Sequence, residues 1–176
     1  MTLPNLITIG RLIIVPLVIV MIGQAQWSMA FILFVVAGVS DAIDGFIAKR
    51  FDMRSEFGAY MDPLADKALL VSIYVTLSVT GVLPGWLAIV VVSRDVMIVA
   101  AIMVSWLMGR PVAIHPLVVS KLNTFVQIAF AALVLSEKTF GFGFGGFDIA
   151  AMWIVAILTV VSAAAYLAVW LRHMAA

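Results

Sequence analysis

The sequence predicts an all-α integral membrane protein of six transmembrane helices. Three observations lead there. Of its 176 residues 65% are hydrophobic and only 11% charged, with a mean hydropathy of +1.24, whereas a soluble domain carries roughly 25% charged residues. Apolar runs of membrane-crossing length, about 20 residues, recur along the whole chain. The basic residues gather in alternate loops, which is the bias that orients membrane helices.

The first apolar run, 5–23, reads as a span and not a signal peptide, because no small-residue cleavage site and soluble region follow it. "GQAQWS" closes it. The second, 28–50, ends in "KRFDMRS", and the third, 56–80, in "TGVLPGW". So little chain separates the second from the third that the two form a hairpin. The fourth, 85–108, ends in "MGRPVAIHP", and the fifth, 115–136, runs into the glycine-rich "SEKTFGFGFGGFD". The sixth covers 148–171. No internal repeat or composition shift divides the chain, so 1–176 reads as a single membrane domain.

Lys49, Arg50 and Arg54 follow the second helix, Arg110 the fourth, and Arg172 and His173 the sixth; the other side holds only Lys138. Both termini and the basic loops therefore face the cytoplasm. Composition also excludes several classes of function. There is no cysteine, so disulfides, zinc–thiolate sites and thiol nucleophiles are ruled out, and a net charge of +1 gives nucleic acid no purchase.

Against this background charges within the spans need a reason, since each costs about 2.5–3.5 kcal/mol near the bilayer centre. The candidates within or at the rims of the spans are Arg11, Asp41, Asp44, Lys49, Asp62, Asp66, Lys67, Arg94, Asp95 and Lys121. For an isolated pair such as Arg94–Asp95 the plain reading is a structural ion pair, and Asp66–Lys67 could partly be one too. The four aspartates are another matter. Asp41 and Asp44 are i, i+3 and Asp62 and Asp66 are i, i+4, so each pair occupies one helix face with Cβ atoms about 5–6 Å apart. The hairpin can bring those faces together. Four carboxylates so close would repel and protonate unless a cation sat among them. Hard oxygen ligands select Mg²⁺, Mn²⁺ or Ca²⁺, and an ion pair about 3.5–4 Å apart is the usual device of phosphoryl chemistry. Gly45, Ala48 and Gly58 lie between or beside the aspartates. Two readings of these small residues stand side by side, close helix packing and room for a flat ligand group.

The pattern Asp41-x2-Asp44-Gly45-x2-Ala48-Lys49-x8-Gly58-x3-Asp62-x3-Asp66 resembles the signature of the CDP-alcohol phosphatidyltransferases. The family usually has arginine where Lys49 stands, followed here by Arg50; lysine keeps the charge but loses the bidentate fork. The resemblance implies six membrane helices around a polar cavity open to the cytoplasm of a bacterial inner membrane, a homodimer, and two divalent ions, Mg²⁺ or Mn²⁺. It implies Asp41, Asp44, Asp62 and Asp66 as metal ligands, with Asp66 also the general base. Gly45, Ala48, Lys49 and Gly58 would hold the CDP end of the lipid substrate, CDP-diacylglycerol.

The acceptor alcohol is less marked. "TLPNLITIGRLIIVP" and "FGAYMDPLADK" are similar to both phosphatidylglycerophosphate synthases and CDP-diacylglycerol-dependent cardiolipin synthases. "SRDVMI" and "PLVVSKLNTFVQ" lean toward the second group. The first group more often has Arg-Glu in one and Gly-Lys-x-Lys-Thr in the other, so Asn123 stands where a second lysine would be. The resemblance thus implies phosphatidylglycerol as acceptor, giving cardiolipin, with glycerol 3-phosphate as the alternative. Arg94, Lys121, Arg11 and Asn5 are the candidates for the acceptor phosphate. His115 and His173 are not read as catalytic, Ser40, Ser93 and Ser120 lack a base, and the five tryptophans read as interface anchors and core. A divalent-cation transporter is the remote alternative, but it would place its acids near the bilayer midplane, often in two repeated halves.

Overall fold

The computed structural model describes residues 3–50, 56–108, 118–141, 143 and 145–175, with side chains over 8–43, 65–108, 118–141, 143 and 145–174. The described residues form six helices: α1 (Leu3–Gly23), α2 (Trp27–Arg50), α3 (Glu56–Val79), α4 (Gly85–Leu107), α5 (Val118–Phe140) and α6 (Phe147–Ala175). The first four helices keep both expected ends within two residues, and the expected first residues of the fifth, 115–117, lie outside the described residues. The fifth helix continues to Phe140 and the sixth to Ala175, both beyond their expected ends. Gly141, at φ 71, is where α5 stops, so the polar triplet Ser136-Glu137-Lys138 is carried inside the helix instead of ending it.

Local chemistry explains the tight turns. Gly81 takes φ 75, Val82 N–H donates to Leu77 O at 2.9 Å and Gly81 N–H to Ser78 O at 3.1 Å. This is the Schellman pattern that satisfies the last carbonyls of a helix with glycine in the left-handed position. The turn after α1 repeats the pattern, with Gln26 N–H on Met21 O at 2.8 Å and Ala25 N–H on Ile22 O at 3.0 Å. There the left-handed residue is Ala25, at φ 56.

Helix α1 packs against α2 and α3, α3 against α4 and α5, α6 against α4 and α5, and α2 against α5. The six therefore close a ring, α1–α2–α5–α6–α4–α3, with α3 and α5 touching across it. Tyr74, Ile73 and Leu77 of α3 fill its middle with Val18, Ile22, Phe34, Leu87, Val91, Phe130 and Leu135. Ala30 and Ala37, both buried, let α2 approach its neighbours closely, as small residues do between membrane helices.

The distribution of polarity is inverted relative to a soluble protein. Ile89, Val96, Val99, Met103, Trp106 and Leu107 of α4 all face outward, while Arg11, Arg94, Ser105, Asn123, Gln127, Thr159 and Ser162 are buried. An apolar exterior around a hydrogen-bonded interior suits a surrounding of lipid. Gly85–Leu107, Val118–Phe140 and Phe147–Met174 are each long and apolar enough to cross a membrane, and shorter apolar stretches run over Thr8–Gly23 and Trp27–Ile43.

Candidate active site

One aspartate from each expected pair, Asp41 and Asp66, meets Arg11. Its guanidinium Nη1 pairs with Asp41 Oδ1 of α2 at 2.8 Å and with Asp66 Oδ1 of α3. Two carboxylates from two helices thus converge on one nitrogen of a third. The arginine side chain is 1% exposed while the two acids are 45% and 46% exposed. The cation therefore lies behind, and the carboxylates open forward into a cleft. Arg11 Nε and Nη2 are buried without a hydrogen-bond partner among the described residues.

That cleft has a volume of about 410 Å³. Arg11, Asp41, Asp66 and Lys67 line one part of it, and Phe34, Val35, Leu69, Leu70 and Ile128 are among its apolar walls. Gly38 also lines it, and a Cβ built there meets nothing within 4 Å. The space is amphipathic, charged where the aspartates are and oily elsewhere.

A second charged group adjoins the first. Lys67 Nζ donates to both carboxylate oxygens of Asp95, at 2.7 and 2.8 Å. Arg94 Nη1 reaches Asp95 Oδ1 at 2.5 Å, and its Nη2 reaches Ser120 Oγ at 2.5 Å and Ser162 Oγ at 2.9 Å. The guanidinium carbon lies 5.6 Å from the centroid of the Tyr166 ring, within cation–π range. Arg94 and Asp95 do form the structural pair that their adjacency suggested, and Lys67 pairs with Asp95. One turn deeper along α5 and α6 the Thr159 hydroxyl accepts from Gln127 Nε2 at 3.1 Å. Its single proton has Val155 O at 2.7 Å and Asn123 Oδ1 at 3.0 Å within reach. Tyr74 closes the layer by donating to Gln127 O at 3.1 Å.

The structure therefore gathers Arg11, Asp41 and Asp66 at one site. It places Arg94 in the interior, Lys121 exposed on α5, and Asn123 in the α5–α6 seam. Asp44, Gly45, Ala48 and Lys49 belong to the helical backbone of α2, Gly58 and Asp62 to that of α3, and Asn5 to that of α1; their side chains lie outside the described residues. His115 lies outside them altogether. Among the described residues no three of His, Cys, Asp or Glu are placed to hold a metal ion. The donors present fit a hard cation all the same: two carboxylates, held together by a shared positive charge and open to a cleft, are what Mg²⁺ or Mn²⁺ prefers. Sequence reasoning overlooked Ser120, Ser162, Thr159 and Gln127 as partners. The signal available was their recurrence on one face of α5 and of α6.

A family model described as CDP-alcohol phosphatidyltransferase matches residues 1–161. Human cardiolipin synthase (CMP-forming) is 31% identical over 80% of this chain and 52% of its own length. The CDP-diacylglycerol–glycerol-3-phosphate 3-phosphatidyltransferase of Bacillus subtilis is 31% identical over 91% of this chain and 90% of its own. A chloroplastic enzyme of the same name from rice is 34% identical over 94% of this chain and 56% of its own. The chain spans about half the length or less of the animal and yeast cardiolipin synthases it matches.

Proposed function

Since the chain belongs to the CDP-alcohol phosphatidyltransferase family, we propose that it moves a phosphatidyl group from CDP-diacylglycerol to an acceptor hydroxyl and releases CMP. The observation that carries this reading is the convergence of Asp41 and Asp66 on Arg11 beside an amphipathic cleft of about 410 Å³. A liponucleotide has the same two-sided chemistry, a diphosphate for the charged part and acyl chains for the apolar walls. Asp41, Asp44, Asp62 and Asp66 would hold two divalent ions, Mg²⁺ or Mn²⁺, which supply positive charge to the diphosphate and to the departing CMP.

This chain's own residues do the rest. Asp66 takes the proton of the acceptor hydroxyl. The acceptor oxygen forms a bond to the phosphorus that carries the diacylglycerol, and the P–O bond to the cytidylate breaks, so CMP leaves with the electron pair. Arg11 keeps two ligand carboxylates, on α2 and α3, at fixed separation. Phe34, Leu69 and Leu70 exclude water beside them. The six helices cross the bilayer with the aspartate end toward the cytoplasm, where CMP departs; the basic residues at that end support the orientation.

The acceptor is phosphatidylglycerol and the product cardiolipin, a reading supported by the "SRDVMI" and "PLVVSKLNTFVQ" stretches and by the similarity to cardiolipin synthases. The nearly full-length match to the Bacillus subtilis glycerol-3-phosphate enzyme favours the second reading, glycerol 3-phosphate as acceptor. Purified protein given CDP-diacylglycerol and Mg²⁺ or Mn²⁺, with each acceptor in a separate reaction, decides between them by lipid mass spectrometry. Cardiolipin formed only with phosphatidylglycerol bears out the first. Phosphatidylglycerophosphate formed only with glycerol 3-phosphate bears out the second. CMP release in neither sinks both. Asp66→Asn should lower turnover by about 10²–10⁴-fold, and near-normal turnover would remove it as the base.

A further inference from the structure

The cleft is bordered by two triads of opposite sign. Arg11, Asp41 and Asp66 together carry one net negative charge, and Lys67, Asp95 and Arg94 one net positive charge. The members of the second triad differ in access: the Lys67 side chain is 38% exposed, that of Asp95 11% and that of Arg94 3%. Only Lys67 of the three lines the cleft. We propose that Lys67 is a phosphate-binding residue of this site, held in place by Asp95 and Arg94. The source of the phosphate rests on the transfer reading above; the presence of the anion site does not.

An ammonium has three protons, and among the described residues the two Asp95 oxygens take two of them, which leaves a third donor for an oxygen arriving in the cleft. Arg94 does not serve directly, because it is buried and does not line the cleft. Its charge acts through Asp95 instead. One carboxylate shared between two cations neutralises each only in part, so Lys67 keeps positive charge that a simple Lys–Asp pair would cancel. Placement also counts. Lysine is a long, flexible side chain whose immobilisation costs about 0.5–1.5 kcal/mol on binding. Here Asp95 of α4, Ser120 of α5 and Ser162 and Tyr166 of α6 hold the chain of contacts that ends at Lys67 on α3. A lysine serving only to pair α3 with α4 would need no face on the cleft. Lys67 directly follows Asp66, so the anion it takes lies next to the carboxylates that take the proton and the cation. Asp95 and Arg94 are positioning residues, and Lys67 is the one that touches substrate.

Reductive methylation of the wild-type protein in phosphatidylcholine nanodiscs, read by peptide mass spectrometry, tests this without a variant. Exposed Lys138 serves as internal reference. CDP-diacylglycerol, glycerol 3-phosphate or phosphatidylglycerol should slow methylation of Lys67 several-fold and leave Lys138 unchanged. Protection by CDP-diacylglycerol alone assigns the donor diphosphate, and protection by an acceptor alone assigns the acceptor phosphate. Equal protection by plain diacylglycerol, or none by any substrate, overturns the proposal. Kinetics supply the second arm. Lys67→Gln should raise the KM of the protecting substrate about tenfold with a smaller change in kcat, Lys67→Arg should restore most of it, and Asp95→Asn should raise the same KM. An unchanged KM in Lys67→Gln also overturns it. Failure of the wild-type protein to release CMP would count against the transfer reading, whereas the labelling result would stand by itself.

Discussion

Replacing Arg11 by methionine keeps most of the apolar stem and removes the charge that Asp41 and Asp66 share. Breaking a fully buried pair by removing one partner costs about 3–5 kcal/mol, and breaking an exposed one about 0–1 kcal/mol. This site lies between those limits, with a buried cation and two acids near half exposure. About 1–1.5 kcal/mol for each of the two pairs is the fitting magnitude. Against that, the variant no longer buries Nε and Nη2, which find no acceptor among the described residues; relieving them returns roughly 1 kcal/mol. The net destabilisation is about 1–2 kcal/mol, or a Tm lower by about 2–8 °C for a chain of this size. Tryptophan fluorescence on heating the detergent-solubilised protein in EDTA measures it, the chain having no cysteine for a thiol dye. Saturating Mn²⁺ should then raise the Tm of the variant more than that of the wild type, because the added cation replaces the charge that methionine lacks. An unshifted Tm in EDTA would refute the pairing, and equal gains with Mn²⁺ would refute the idea that cation and guanidinium serve the same two carboxylates.

Three further outcomes follow from other parts of the structure. Gly38→Leu places a side chain in open cleft space; it should leave thermal stability equal or slightly higher, by up to about 1 kcal/mol, while raising the KM for CDP-diacylglycerol roughly tenfold, and an unaltered KM would show that the lipid does not use this wall. Thr159→Val leaves the Asn123 and Gln127 amides under-partnered in a dry interior, so unfolding should come about 1–2 kcal/mol sooner, more than the ~0.6 kcal/mol average for hydrogen bonds between membrane helices; Thr159→Ser should remain close to wild type, and a Thr159→Val protein of full stability would contradict the network. In the two Schellman turns, Ala25→Gly should stabilise by about 0.5 kcal/mol and Gly81→Ala destabilise by about 1 kcal/mol, so opposite Tm shifts are the check.

The sequence by itself determined which segments are helical and where the charged side chains lie along them. An apolar run closed by glycine or proline has few alternatives in lipid, because its backbone groups must satisfy one another. The i, i+3 and i, i+4 aspartates share a face by helix geometry alone, whatever packs beside them. Where such local rules competed, the reading slipped: "SEKTF" looked like the end of a helix because it is polar, yet α5 runs through it to Phe140 and stops at left-handed Gly141.

Only the tertiary structure decided which charges meet. Lys67 sits beside Asp66 in sequence, but its amine pairs with Asp95 on the next helix. Arg11 reaches Asp66 across 55 positions, and Arg94 finds Ser162 across 68. Asn123, which invited comparison with a lysine, turns to Thr159 and not to the cleft. The physical reason is that these helices are apolar nearly all round, so the face each one turns inward is not written in its own periodicity. It is set by which neighbours let buried polar groups find partners, and those partners lie on other helices.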